Sequence, residues 1–309
     1  MTASKPRRFS VLLLILVFAP IEGWASACAD NDVRLQVLGS GGPEFGDNRA
    51  SSSYLIWQNG KAKVLIDAGS GSSLNFEQSG AKIEDLQAVV FTHFHVDHSA
   101  AFPALIKASF FTKRDRDLPV FGPEGNHLMP SASQFVEKLL GEDGAFRYLS
   151  NYVEGSRDSA YHLLPHDVPL EKGKMVTFKL TESLSLQATP VHHGPVAAVA
   201  WRVNILDCAV TFSGDMSNTY QSLPGLAKNS DILLAHNAIP EGATGVARVL
   251  HMPPSEIGKI ASAAEVKKLV LSHRMLRTTG IEADTLETIK QFYAGPVSFA
   301  DDMQVFLLE

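Results

Sequence analysis

The run Thr92-His93-Phe94-His95-Val96-Asp97-His98-Ser99 sets four metal-competent side chains, His93, His95, Asp97 and His98, within six residues. Filler for a core or a solvated loop has no reason to collect them. The run follows residues 86–91 (Leu-Gln-Ala-Val-Val-Phe), an apolar segment that reads as a buried strand emptying into a loop. In extended chain His93 and His95 project to the same side, so both imidazoles reach one cation. Asp97 and His98, where the chain turns toward a helix, are then free for a second. Imidazole nitrogen with carboxylate oxygen suits zinc, with manganese or iron as alternatives.

The chain has 309 residues. Lys5, Arg7 and Arg8 form a positive start, residues 9–21 an apolar stretch, and Ala25-Ser26-Ala27 a peptidase site, so residues 1–27 read as a signal peptide. The apolar stretch is too short to span a bilayer comfortably, and no stable membrane insertion is expected once it is removed. A cut after Ala29 fits almost as well, and lipid attachment at Cys28 fits less well. The protein is therefore expected to be secreted or periplasmic. Three basic residues and one acidic residue lie in the leader, so the mature net charge is about −8, against −6 for the whole chain. An acidic surface argues against a dedicated polyanion binder, and no nucleic-acid partner is expected. The one short basic run, Lys113-Arg114-Asp115-Arg116, is interrupted by acid and reads as a solvated face. Cys28 and Cys208 are the two cysteines. A bridge between them is conceivable after export, but Cys208 sits in an apolar stretch and reads as a buried thiol.

Outward from the histidine run, strands are expected at residues 33–38, 53–57 and 63–66, the last two as a hairpin around Asn59-Gly60. Further strands are expected at 175–180, 184–191, 201–205, 209–213, 231–235, 268–272 and 305–308. Helices are expected at 100–112, 131–140, 255–264 and 284–292. Residues 115–169 read as irregular. Strands dominate each half with helices late in each, which suggests two sheets face to face with helices outside, an α/β, four-layer αββα sandwich. Gly39-Ser40-Gly41-Gly42-Pro43 lacks the third glycine and the following helix of a dinucleotide fingerprint and reads as a tight turn bordering the site. Further donors stand just past apolar strands: His192-His193, Asp215 and His273.

In this order the set resembles the metallo-β-lactamase superfamily, with its His-x-His-x-Asp-His run followed by a distant His, an Asp and a last His. The resemblance covers essentially all of the mature chain, a single hydrolase domain at 28–309. It implies that His93, His95 and His193 hold one metal and that Asp97, His98 and His273 hold another, with Asp215 bridging. His192 is the competitor for the third histidine; His-Gly-Pro-Val after His193 favours His193. The bridging aspartate sets the chain apart from true β-lactamases. The Gly39–Pro43 opening, the Leu65-Ile66-Asp67-Ala68-Gly69 turn and His251 resemble the tRNase Z and arylsulfatase-like branch. There His251 is the candidate proton donor to the leaving group, and Asp97 orients the nucleophile or accepts its proton. His236, followed by Asn237, is expected to support the site rather than hold a metal.

Together these readings imply an exported hydrolase with two zinc ions, which lower the pKa of a shared water and hold the oxyanion that develops at an ester-type centre. The expected substrate is a small phosphodiester or aryl (sulfate) ester. A lactonase, a β-lactamase-like enzyme and an iron redox protein of the same fold are the alternatives. Residues of about 103–169 are expected to cover the site, whose walls would include Phe94, Phe102, Phe110, Phe111 and Trp201. A homodimer is allowed for.

Overall fold

The computed structural model describes residues 1–3, 27–153 and 159–308. The expected signal segment therefore lies, for residues 4–26, outside the described residues. Fourteen strands follow: β1 (Arg34–Gly39), β2 (Ser53–Gln58), β3 (Lys61–Ile66), β4 (Ala88–Val90), β5 (Leu118–Pro123), β6 (Leu163–Val168), β7 (Val176–Lys179), β8 (Leu184–Pro190), β9 (Val199–Ile205), β10 (Cys208–Phe212), β11 (Ile232–His236), β12 (Lys268–Ser272), β13 (Val297–Phe299) and β14 (Val305–Leu307). One sheet runs β14-β1-β2-β3-β4-β5-β6 and the other β13-β12-β11-β10-β9-β8-β7.

The central strands are apolar on both faces because both faces are covered. In β2 and β3, Tyr54, Ile56, Val64 and Ile66 point between the sheets, where they meet Trp201, Val210, Phe212 and Leu234. Their neighbours Leu55, Trp57 and Leu65 point outward, onto Phe102, Leu105 and Ile106 of the helix Phe102–Ser109. On the far side Leu233, Ala235, Leu269 and Leu271 pack on Ile257 and Ile260 of the helix Pro254–Ala263 and on Ile289 of Glu282–Lys290. Three apolar layers between four layers of secondary structure make the expected αββα sandwich.

Two strands run through the stretch read as irregular. β5 (Leu-Pro-Val-Phe-Gly-Pro) and β6 (Leu-Leu-Pro-His-Asp-Val) carry prolines, which cannot donate to a ladder and so disguise a strand. The sheet tolerates them because β4 meets β5 only through Val120 and Phe121, clear of both prolines, and because β6 is the edge. Residues 103–169 thus supply part of the sandwich itself, and only a portion of that stretch borders the site. The short β13 and the helix Ser72–Gln78 were also missed by the sequence pattern. Among the described residues no helix is long and apolar enough to cross a membrane.

The directions of the strands fix where chemistry can occur. β3, β4, β5 and β6 are mutually parallel, as are β10, β11 and β12, and β8 runs the same way as β10 across the antiparallel β9. Carboxyl ends from both sheets therefore gather at one pole of the sandwich, where α/β folds seat ligands.

Cys28 and Cys208 form a disulfide across 180 positions of sequence. The expectation of a buried Cys208 thiol is corrected. Both residues are as buried as expected, but the short helix Ala27–Asp30 brings Cys28 beside the start of β10, which local sequence cannot reveal. With its sulfur bridged, Cys28 has none free for a lipid. Closing so long a loop restricts the unfolded chain strongly. Reduction, or Cys208→Ser, is expected to lower stability by about 2–5 kcal/mol. Denaturant unfolding with and without reductant measures this, and alkylation of the unfolded, unreduced protein is expected to label neither cysteine.

Candidate metal centre

His93 follows β4, His193 follows β8, Asp215 follows β10, His236 ends β11 and His273 follows β12. All of them, with His98, lie buried at the common pole. The ring nitrogens of His93, His95 and His193 lie within 4.8 Å of one another and form one donor group. His98, Asp215, His236 and His273 form a second, and His193, Asp215 and His251 a third that joins them. Asp215 is the hub. Its Oδ2 lies 3.4 Å from His273 Nε2 and 3.8 Å from His98 Nε2, His193 Nε2 and His251 Nδ1. Asp97 Oδ2 accepts from His273 Nε2 at 3.2 Å and lies 3.5 Å from His98 Nε2.

The outward nitrogens of these rings are committed, which aims the others inward. His98 Nδ1 donates to Asp67 Oδ2 at 2.8 Å, and His193 Nδ1 donates to the Leu250 carbonyl at 2.9 Å. His93 Nδ1 sits 3.1 Å from Thr92 Oγ1, whose own hydroxyl donates to Asp67. In the neutral rings these contacts set the tautomer, leaving the lone pair on Nε2. The Nε2 atoms of His93, His98 and His193, and Nδ1 of His251, are buried with no hydrogen-bond partner. Buried polar atoms are seldom left so unless an ion or water belongs there. The donor set, imidazoles around two carboxylates, fits divalent zinc chemistry.

The electrostatics agree. Burial lowers the pKa of His93 and of His193, keeping both neutral as metal donors must be. Burial opposes charge on His98 too, but Asp97 and Asp67 outweigh it and raise its pKa to about 9. Burial works against ionisation of Asp215, yet the surrounding rings, His273 and His251 foremost, hold it well below the carboxylate range. A cation held here would take the place of the protons that the carboxylates favour on His98 and His273.

Local backbone chemistry explains the tight turns. Gly214 has φ +59°, and a Cβ there would stand 2.8 Å from Thr92 Cβ, so only glycine lets Asp215 approach the histidine loop. At Gly69 a Cβ would fall 2.2 Å from the Asp97 carbonyl oxygen. His273 itself sits in the left-handed region, φ 52°, a strain typical of functional positions.

Of the two adjacent histidines, His193 is the one whose ring lies in the donor groups. His192 is half-buried, bonds Ser217 Oγ through Nδ1 at 2.8 Å and meets the Tyr220 ring edge-on, away from the donor groups. His236 has both nitrogens occupied, Nδ1 donating to Asp215 Oδ1 at 2.7 Å and Nε2 lying 3.1 Å from the Tyr54 hydroxyl, so it orients Asp215. Asp67 and Tyr54 escaped the sequence reading as members of the site; the turn around Asp67 was noted, but nothing local links it to His98 thirty-one positions on. Of the expected aromatic walls, Phe102 and Trp201 are core. Phe94 and Phe111 line an open groove of about 750 Å³ that starts at the histidine run, and Phe110 is exposed beside it.

Residues 46–273 match the pattern of the metallo-beta-lactamase superfamily. The chain belongs to that superfamily. Its reading as a metal-dependent hydrolase acting on ester bonds holds. Ribonuclease Z of Listeria innocua is 26% identical over an alignment covering 76% of this chain and 85% of that protein. Human tRNase Z, short form, superposes with a TM-score of 0.67 at 18% identity, covering 89% of this chain and 99% of that one. Zn(2+)-bound PqqB from Methylobacterium extorquens superposes with a TM-score of 0.62 at 14% identity, covering 88% and 99%. The expectation that no nucleic acid is a partner is overturned by these relatives, which include a ribonuclease and a tRNase. Net charge sums every surface residue, whereas a phosphate meets only the local field of the pole where it docks.

Two substitutions test the geometry. His193→Ala is expected to lose most bound metal while His192→Ala keeps it, measured by elemental analysis after dialysis. Asp67→Asn, which weakens the hold on His98, is expected to cut metal affinity about 10–100-fold with the fold intact, as read by chelator competition.

Proposed function

We propose that the protein is an exported dinuclear zinc hydrolase that cleaves phosphodiesters, ribonucleic acid among them. The observation that carries this is the set of buried, unpartnered nitrogens of His98, His193 and His251 around Asp215 Oδ2. His93, His95 and His193 would hold one zinc and Asp97, His98 and His273 the other, with Asp215 between them. When bound, two such cations supply Lewis-acid charge for a developing oxyanion and acidify water. Ribonuclease Z among the relatives supports the phosphodiester class. The Cys28–Cys208 bridge supports export, since such bonds persist outside reducing cytosol.

The chain's own residues then divide the remaining work. Asp97, in the proposed ligand set and partly open to the cleft beside Ser51 and Gly71, is placed to orient an incoming nucleophile or take its proton. His236, fixed by Tyr54, holds Asp215 in one rotamer. His251 stands just outside the helix Pro254–Ala263, its ring 5.5 Å from that of His193. Burial keeps it neutral, its pKa down to about 3 despite the nearby Asp215 charge. A phosphodiester anion beside the ring favours the protonated form, which is the form that donates to a leaving oxygen.

A panel of bis-aryl phosphate, short RNA, aryl sulfate, lactone and cephalosporin is the direct test on zinc-loaded protein. Turnover of both phosphodiesters is expected; hydrolysis of the lactone or cephalosporin alone sinks the reading. His251→Ala is expected to slow cleavage about 10²–10⁴-fold when the leaving group is an alkoxide and far less when it is a nitrophenolate. Equal losses on both would remove His251 from the proton-transfer role.

A further inference from the structure

The groove that starts at the histidine run is not accounted for by the metal centre. Its floor is a stripe at helical spacing, Val96, Pro103, Lys107 and Phe111, running from the short helix Val96–Ser99 along the helix Phe102–Ser109. The opposite wall includes Phe146 and Tyr148. This is the side of a helix that should be polar, yet Phe111 is 78% exposed and Tyr148 65%. Rings so open are costly to leave in water and mark a contact surface.

Among the described residues Lys107 is the only charged one lining the groove. Its ammonium lies 4.5 Å from the centre of the Phe110 ring, 5.2 Å from Phe111 and 5.8 Å from Tyr148. Among the described residues no acid pairs with it, so aromatic faces hold the cation in place while leaving its charge unspent. Aromatic platforms with a fixed cation between them are what unpaired nucleic acid needs. Bases stack on the rings whatever their identity, and the backbone phosphate meets the ammonium. Val96 lines both this groove and the cleft that holds Asp97, so a strand leaving the metal centre has the groove beside it.

We infer that this groove is a binding track for single-stranded nucleic acid flanking the scissile phosphodiester, with bases stacked on Phe111 and Tyr148 and a phosphate on Lys107. The inference rests on the phosphodiesterase reading, and its test separates the two. Binding of a fluorescein-labelled oligouridylate to the mature, zinc-loaded protein is followed by anisotropy. Phe111→Ala and Tyr148→Ala, both at exposed positions, are each expected to weaken binding about 5-fold or more, with unchanged circular dichroism. Lys107→Ala is expected to lower the slope of log affinity against log salt by about 0.7. Absence of oligonucleotide binding by the parent, or affinities within about two-fold of the parent in the double aromatic variant, overturns the track. So does loss of a parental dimer in that variant with RNA affinity retained, which would make the groove a contact between copies. If the variants lose RNA binding while the parent turns over no phosphodiester, the track stands and the catalytic reading falls; turnover without any effect of the variants gives the reverse.

Discussion

Asp67 has no exposed surface, and both its oxygens are spent inside the chain. Oδ1 accepts the Thr92 amide at 2.7 Å, while Oδ2 accepts the Thr92 hydroxyl at 2.8 Å and His98 Nδ1 at 2.8 Å. One carboxylate at the end of β3 thereby fixes both ends of the histidine loop that follows β4. The loop carries four candidate donors, and apart from Phe94, packed on Phe91 and Phe135, its buried side chains are polar and need such partners to hold their shape. Thr92 passes the constraint on to His93, and His98 passes it toward Asp215. The metal centre thus depends on a group that would touch no metal, and the sandwich exists at that pole largely to bring Asp67, Thr92 and Asp215 together.

Much of this was legible in the chain. Apolar runs with β-branched residues gave most strands, and donors just past those runs gave the donor set, because a strand followed by a coordinating residue is a local pattern. Apart from short elements such as the helix Ser72–Gln78, the misses depend on pairs far apart in sequence. β5 and β6 are strands only because neighbouring strands accept their proline-bearing segments at tolerant positions. The partnership of Cys28 with Cys208, the hold of Asp67 on His98 and the seat of Tyr54 against His236 likewise join residues that no window contains. His192 and His193 illustrate the limit well, since their sequence surroundings are nearly shared. A single change of direction sends one ring to Ser217 and the other into the cluster.

The misjudged partner is a lesson about averaging. An acidic total was weighed against polyanions, yet the donor pole is furnished with imidazoles, and Lys107 is the one charged group among the described residues that line the groove beside it. Charge acts over about a Debye length, roughly 8 Å at physiological salt, so carboxylates scattered over remote faces say little about that pole.

The strand directions carry one more consequence. β1 runs parallel to β3, so it begins at the end of the sandwich opposite the donor cluster, and β14 pairs with it antiparallel, Leu307 beside Arg34. Both ends of the described domain leave from that rear face. Anything fused or tethered at either end, whether an affinity handle, a neighbouring module or a surface attachment, would sit behind the enzyme and leave its working mouth facing outward. The architecture is in effect a headlamp: it can be mounted from the back without dimming the front.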